Sequence, residues 1–125
     1  MMLFFLLAGG LSVAVMLLHL FAGGPVVAAP LLAAQDLKKV PKYTQYYCWH
    51  LVSISLGLLG LCFLWPALLG GSDDLALLGT VMAALYALWG LVLPFLSARR
   101  LSYLELPQGW LFVPIALLGL LGVWA

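Results

Sequence analysis

Charge is what this chain has least of. It carries five Lys or Arg and four Asp or Glu in 125 residues, 7% of the total, where a soluble domain has roughly 25%. So few charges cannot clothe a water-exposed surface, which excludes an ordinary soluble enzyme, a nucleic-acid binder and a disordered tail. Net charge is +1, too small to steer a strongly charged partner. Cysteine is equally sparse. Cys48 and Cys62 stand 14 positions apart, roughly 21 Å along one helix, whereas a disulfide needs Cα atoms within about 7 Å. They form neither a bridge nor a CxxC pair, and a secreted disulfide scaffold is excluded. Metalloprotease HExxH, hydrolase GxSxG and phosphate-binding glycine loops are all missing. So is any carboxylate inside an apolar run, which argues against a proton-coupled antiporter.

What is present is hydrocarbon. Hydrophobic residues make up 66% of the chain and the mean hydropathy is +1.21. A bilayer core ~30 Å thick takes about 20 mostly apolar residues per helix, and four runs qualify: about 3–24, 46–69, 75–96 and 106–125. They are long and do not alternate, and backbone groups in lipid must bond within their own segment, so helices are expected rather than strands. The expected fold is all-α, a single polytopic membrane domain over residues 1–125 built as a four-transmembrane-helix bundle. The first run has no basic stretch before it and exceeds the usual 7–15 apolar residues of a leader, so it reads as a span rather than a cleaved signal peptide.

The connections differ in sign. The first holds Lys38, Lys39 and Lys42 against Asp36; the second, Gly70-Gly71-Ser72-Asp73-Asp74, has no base; the third holds Arg99 and Arg100, then Glu105. All five bases fall on one side of a four-span chain. The positive-inside rule places connections one and three in the cytoplasm and both termini outside. Tyr43, Tyr46, Tyr47, Trp49, Trp65, Trp110 and Trp124 sit near span ends and read as interfacial anchors. Asp73 and Asp74 read as a helix cap in a solvated turn. The stretch Gly23–Leu32 has two glycines and two prolines and reads as a kink leading into a short interfacial segment; continuation of the first helix is the alternative. Helix association inside lipid depends on small residues. Gly10 and Ala14, Ser53, Gly57 and Gly60, Gly79, Ala83 and Ala87, and Gly119 and Gly122 supply candidate seams, within the bundle or toward a partner.

Two ionisable groups remain inside the runs, His19 and His50, and intramembrane ionisable residues are functional candidates by default. Each lies a few residues from the cytoplasmic end of its span, on neighbouring antiparallel helices, so the two imidazoles are expected at matched depth. Such a pair suits a transition metal or the axial positions of a b-type haem, with Ser53 and Gly57 making room beside His50 and the basic residues near the propionates. Copper is the weaker metal option, with Met16 as a soft donor. Hydrogen bonding to a carbonyl, hydroxyl or water is the structural alternative. Ser12 and His19 lie about 10 Å apart on one helix, too far for nucleophile activation, and no catalytic constellation is evident.

The pattern of His19, Gly23-Gly24, Pro30-Leu31-Leu32 and Trp49-His50, with Pro107-Gln108-Gly109-Trp110-Leu111-Phe112 opening the last run, resembles small four-helix integral membrane proteins of bacteria. Nearly the whole chain takes part in the resemblance. It implies the four-span topology, a bacterial inner membrane and attention to His19 and His50, and it brings no substrate. Three functions are expected to compete. The first is a non-enzymatic accessory or assembly subunit of a larger membrane complex. The second is a bis-histidine haem or metal protein using His19 and His50. The third is a small oligomeric transporter or channel. The bilayer, a membrane-protein partner or a second copy are the expected partners, and nucleic acid is not.

Overall fold

The computed structural model describes residues 1–97 and 101–125; Arg99 and Arg100, part of the orientation argument, lie outside them. The regular structure is helical, with no strand among the described residues. Helix α1 (Met2–Phe21) runs through a π-helical turn (Gly24–Ala28) into the short α2 (Ala29–Ala33). Then come α3 (Lys39–Leu69), α4 (Asp74–Leu96) and α5 (Gln108–Trp124). Three helical runs, Met2–Ala33, Lys39–Leu69 and Asp74–Leu96, are long and apolar enough to cross a membrane; α5 is apolar but shorter, at 17 residues.

Two boundaries differ from expectation. The Gly23–Leu32 stretch does not leave the helix. Ala22, Gly23, Ala28 and Ala29 all keep right-handed helical dihedrals. Pro25 and Pro30 each lack a donor and crowd the carbonyl four residues back. The wider turn absorbs them, with the Ala29 N–H reaching the Gly24 carbonyl five residues away. Helix α3 starts at Lys39 rather than Tyr46. Pro41 falls in its first turn, where an amide has no intrahelical acceptor anyway. The Lys42 ammonium donates to the Leu32 carbonyl at the end of α2 (3.1 Å), a cation where a helix C-terminus is negative. Helix α3 stops at Gly70 (φ 76°), followed by Gly71 (φ 113°), a left-handed pair only glycine adopts cheaply. Asp73 takes the N-cap position of α4 as expected, without a side-chain cap bond, and the Ser72 hydroxyl accepts the Asp74 N–H (3.1 Å).

The four long helices form a ring in the order α1, α3, α4, α5, with α5 closing against α1. Both termini and the 70–73 turn share one end; the lysine connection and the 101–107 segment share the other, called here the lysine end. Small residues set the spacing. On α4 the buried set is Ala76, Gly79, Thr80, Ala83, Ala87, Gly90 and Pro94, which contains the expected stripe. Gly119 and Gly122 are buried on α5 as expected, against Thr80 and Phe63, and against Phe5, respectively. On α1 the expected seam is wrong. Gly10 and Ala14 are exposed, and Ala8, Gly9, Ser12 and Val15 face inward. Every residue of that helix before His19 is apolar or small, so no polar side marks the outer face and the phase slips. The buried Ser12 and Thr80 hydroxyls donate to their own helices, at the Ala8 and Ala76 carbonyls (2.8 and 2.7 Å), as buried polar groups must find partners. Cys48 is exposed, Cys62 is buried and both are free thiols.

Candidate functional site

On α1 and α3 the buried residues cover only the half away from the lysine end. The buried residues of α1 stop at Val15, and those of α3 begin at Leu56. Beyond that level, toward the lysine end, cavities lie between the α1–α3 hairpin and the α4–α5 hairpin. Each remains tightly closed within itself. Gly9 lies against Gly60 and Leu64 in the first, and the backbones of Gly90 and Gly109 cross in direct contact in the second. The space between the hairpins is a cleft with two lobes that share Val52, Gln108 and Phe112 as walls. One lobe, about 370 Å³, lies among α1, α3 and the segment entering α5. The other, about 480 Å³, lies among α3, α4 and α5, where the Ser55 and Tyr86 hydroxyls hydrogen-bond across the α3–α4 seam.

His19 stands on the wall of the first lobe. Its ring lies flat on the Trp49 indole, with centroids 3.8 Å apart and planes 22° from parallel. Its Nε2 is 3.3 Å from the Trp49 carbonyl and 3.1 Å from the Ser53 hydroxyl, which itself donates to that carbonyl at 3.2 Å. A carbonyl only accepts, and the serine proton is already placed, so Nε2 carries the imidazole proton and donates. Gly23 makes the arrangement possible: a Cβ there would stand 2.7 Å from the indole edge. Trp49 is thus a packing platform for His19.

The expected pair is only half assembled. His19 and His50 do lie at one level of the bundle, since His19 bonds the residue preceding His50. One residue further along α3, however, His50 turns to another face and meets Tyr46 edge-on (4.7 Å, 84°). Met16, the expected soft donor, packs against Gly57. A bis-histidine haem or copper site needs one nitrogen from each ring aimed at a common point; His19 Nε2 is bonded to Trp49 and Ser53, which leaves Nδ1 as that ring's remaining donor atom. No group of three metal-ligating side chains occurs among the described residues. The structure also brings a hydroxyl and an imidazole together, Ser53 and His19, that spacing along one helix could not reveal. It is not an activated nucleophile: Nε2 is the donor, and Ser53 sits in mid-helix, where backbone N–H groups are used up and no oxyanion hole exists.

Sequence reasoning missed the mouth of the cleft. Glu105 and Gln108 line the first lobe beside Leu104, which is 93% exposed. Glu105 is fixed by a reciprocal pair. Its carboxylate accepts the Ser102 N–H (2.8 Å), and its own N–H reaches the Ser102 hydroxyl (3.2 Å). This is the capping-box pattern, readable as Ser102-Tyr103-Leu104-Glu105. The Ser102 N–H, and then its hydroxyl, hold the Glu105 carboxyl below the usual carboxylate range. It is the one charged side chain among the described residues lining either lobe.

Comparison with known protein families, curated proteins and solved structures finds no match to the chain.

Proposed function

We propose that the chain is a four-span integral membrane protein with both termini outside and the lysine end in the cytoplasm of a bacterial inner membrane. There it serves as an accessory or assembly subunit that acts by non-covalent contact rather than catalysis. The observation that carries this reading is an overhang. Helix α3 has 31 residues, about 46 Å at ~1.5 Å per residue, against a hydrocarbon core of ~30 Å. With Leu69 at the outer boundary, about ten residues of its N-terminal end stand beyond the hydrocarbon. That overhang carries Lys39 and Lys42 and an exposed ridge of Val40, Tyr43 and Tyr47 at helical spacing, with Val40 75% exposed. Apolar and aromatic side chains held together out of lipid are what a protein partner covers. The α5 helix, shorter than its neighbours, completes an even number of crossings in this reading.

Two experiments test it. In a variant lacking Cys48 and Cys62, single cysteines at Lys38 and Ser102 should react with an impermeant reagent from the cytoplasmic face, and one at Ser72 from the outer face. Labelling of positions 38 and 102 from opposite faces ends the four-span reading. A photo-crosslinker at Tyr43 should then trap one defined membrane protein that the same crosslinker at Leu85, on the outer face of α4, does not. A homo-oligomer with no Tyr43-specific adduct removes the accessory role.

A further inference from the structure

The cleft has the form of a lipid seat. It rests on the membrane-spanning part of the reading above, and not on the partner. Its depth is hydrocarbon-like: Val15, Leu18, Leu56 and Phe112 surround the first lobe, and the imidazole on its wall has already spent its proton on Trp49 and Ser53. Its mouth is at the lysine end, yet none of the lysines lines it; Glu105 and Gln108 do. Size narrows the occupant. The lobe's volume of about 370 Å³ lies within the ~300–1,000 Å³ of small-ligand sites. A void lined by apolar groups forfeits dispersion contacts on every wall, and a neighbouring lipid tail can restore them without leaving hydrocarbon.

We infer that this lobe holds a hydrocarbon tail of one membrane phospholipid, with its headgroup ammonium donating to the Glu105 carboxylate, and that ethanolamine headgroups are therefore preferred. The choice among headgroups follows from charge and hydrogen-bond chemistry. A glycerol headgroup leaves the lipid anionic and offers the carboxylate no cation. A choline headgroup is cationic but has no N–H to donate. Ethanolamine has both, and Gln108 adds an amide beside the carboxylate. The Ser102 N–H takes up only part of the carboxylate's accepting capacity, since an ionised carboxylate has about four acceptor sites.

The test is native mass spectrometry of the full-length protein in mild detergent with equal amounts of ethanolamine, choline and glycerol phospholipids of identical tails. A single ethanolamine-lipid adduct should exceed the other two by a few-fold, about two- to fivefold, the weight of a solvent-exposed ion pair. Glu105→Gln, a change at an exposed side chain, should bring the three lipids to near parity while an adduct persists. Val52→Trp, which fills the wall shared by both lobes, should abolish the adduct. Equal retention of the three lipids by the unaltered protein, or an ethanolamine preference that survives Glu105→Gln, overturns the inference, whether or not Val52→Trp folds. Flotation of the reconstituted protein with liposomes keeps the two claims apart: failure to float defeats the membrane reading, and floating without lipid selectivity defeats this one alone.

Discussion

The Gly90–Gly109 crossing gives the most exacting test of how the second hairpin is held. A methyl group at Gly90 would stand 2.6 Å from both the Cα and the N of Gly109, and one at Gly109 would stand 2.7 Å from the Gly90 carbonyl carbon. These neighbours are backbone and cannot rotate away. Restoring ordinary contact at 3.4 Å requires α4 and α5 to separate by about 0.8 Å along their closest line. Overpacking of this kind costs typically ~1–3 kcal/mol, while replacing a helical glycine by alanine returns up to ~1 kcal/mol of propensity. Gly90→Ala and Gly109→Ala should each destabilise by a net ~1–2 kcal/mol. The double variant should cost less than their sum, because one separation accommodates both methyl groups. Gly57→Ala is the control. Its methyl would meet only the Met16 sulfur, at an ordinary 3.4 Å, so stability should hold or rise by up to ~1 kcal/mol. The measurement is reversible unfolding in mixed micelles, followed by tryptophan fluorescence. If Gly90→Ala is as stable as the parent, or if the double variant is strictly additive, the backbone crossing is not the constraint described.

Other outcomes follow from the cleft. His19→Phe keeps a ring on Trp49 but loses the Nε2 donor; because Ser53 still bonds the Trp49 carbonyl, the cost should be about 0.5–1.5 kcal/mol. His19→Ala should cost more, by a further ~0.5–1.5 kcal/mol for the lost stack, and equal losses in the two variants would refute the stacking role. Protein purified with added haem should show no Soret band, since His19 is engaged and His50 faces Tyr46; a band that vanishes in both His19→Ala and His50→Ala would reinstate the bis-histidine site. The Glu105 carboxyl carbon, followed by NMR, should titrate with a midpoint below the ordinary value of about 4.3. A lowered folded-state midpoint means the Ser102–Glu105 turn is fully favoured above the unfolded value and loosens as pH falls through the folded one. Among the described residues, Ser102 in its own turn bonds Glu105, and His19 lines the same lobe. A midpoint at or above 4.3 would show that the reciprocal bonds do not hold.

The four helices were legible because hydrocarbon length is a composition property that needs no knowledge of packing. The α4 and α5 seams were legible for a related reason, since glycine and alanine recur there at helical spacing. The α1 seam was not: Gly9 and Gly10 are adjacent, both suit a crossing, and only the position of Gly60 on a different helix decides between them. The persistence of helix through Pro25 and Pro30 was hidden because local rules count the lost donors and clashes but not the wider turn that accommodates them. His19 was singled out correctly as a polar group needing a partner. The partner, the carbonyl and hydroxyl of Trp49 and Ser53, is a tertiary fact. Glu105 was read only as a charge in a loop, although the Ser102-to-Glu105 spacing already encoded the turn that holds it at the mouth.

The unequal helix lengths have a consequence for the surrounding lipid. Helix α5 is 17 residues long, about 26 Å, beside partners that outreach a ~30 Å slab. In the four-span arrangement proposed above, leaflets along α5 would pinch or the bundle would lean, and the excess length of α1 and α3 would be met by tilt or by chain standing beyond the hydrocarbon. Mismatch of this size is worth fractions of a kcal/mol per ångström. It would give the protein a thin side and a thick side.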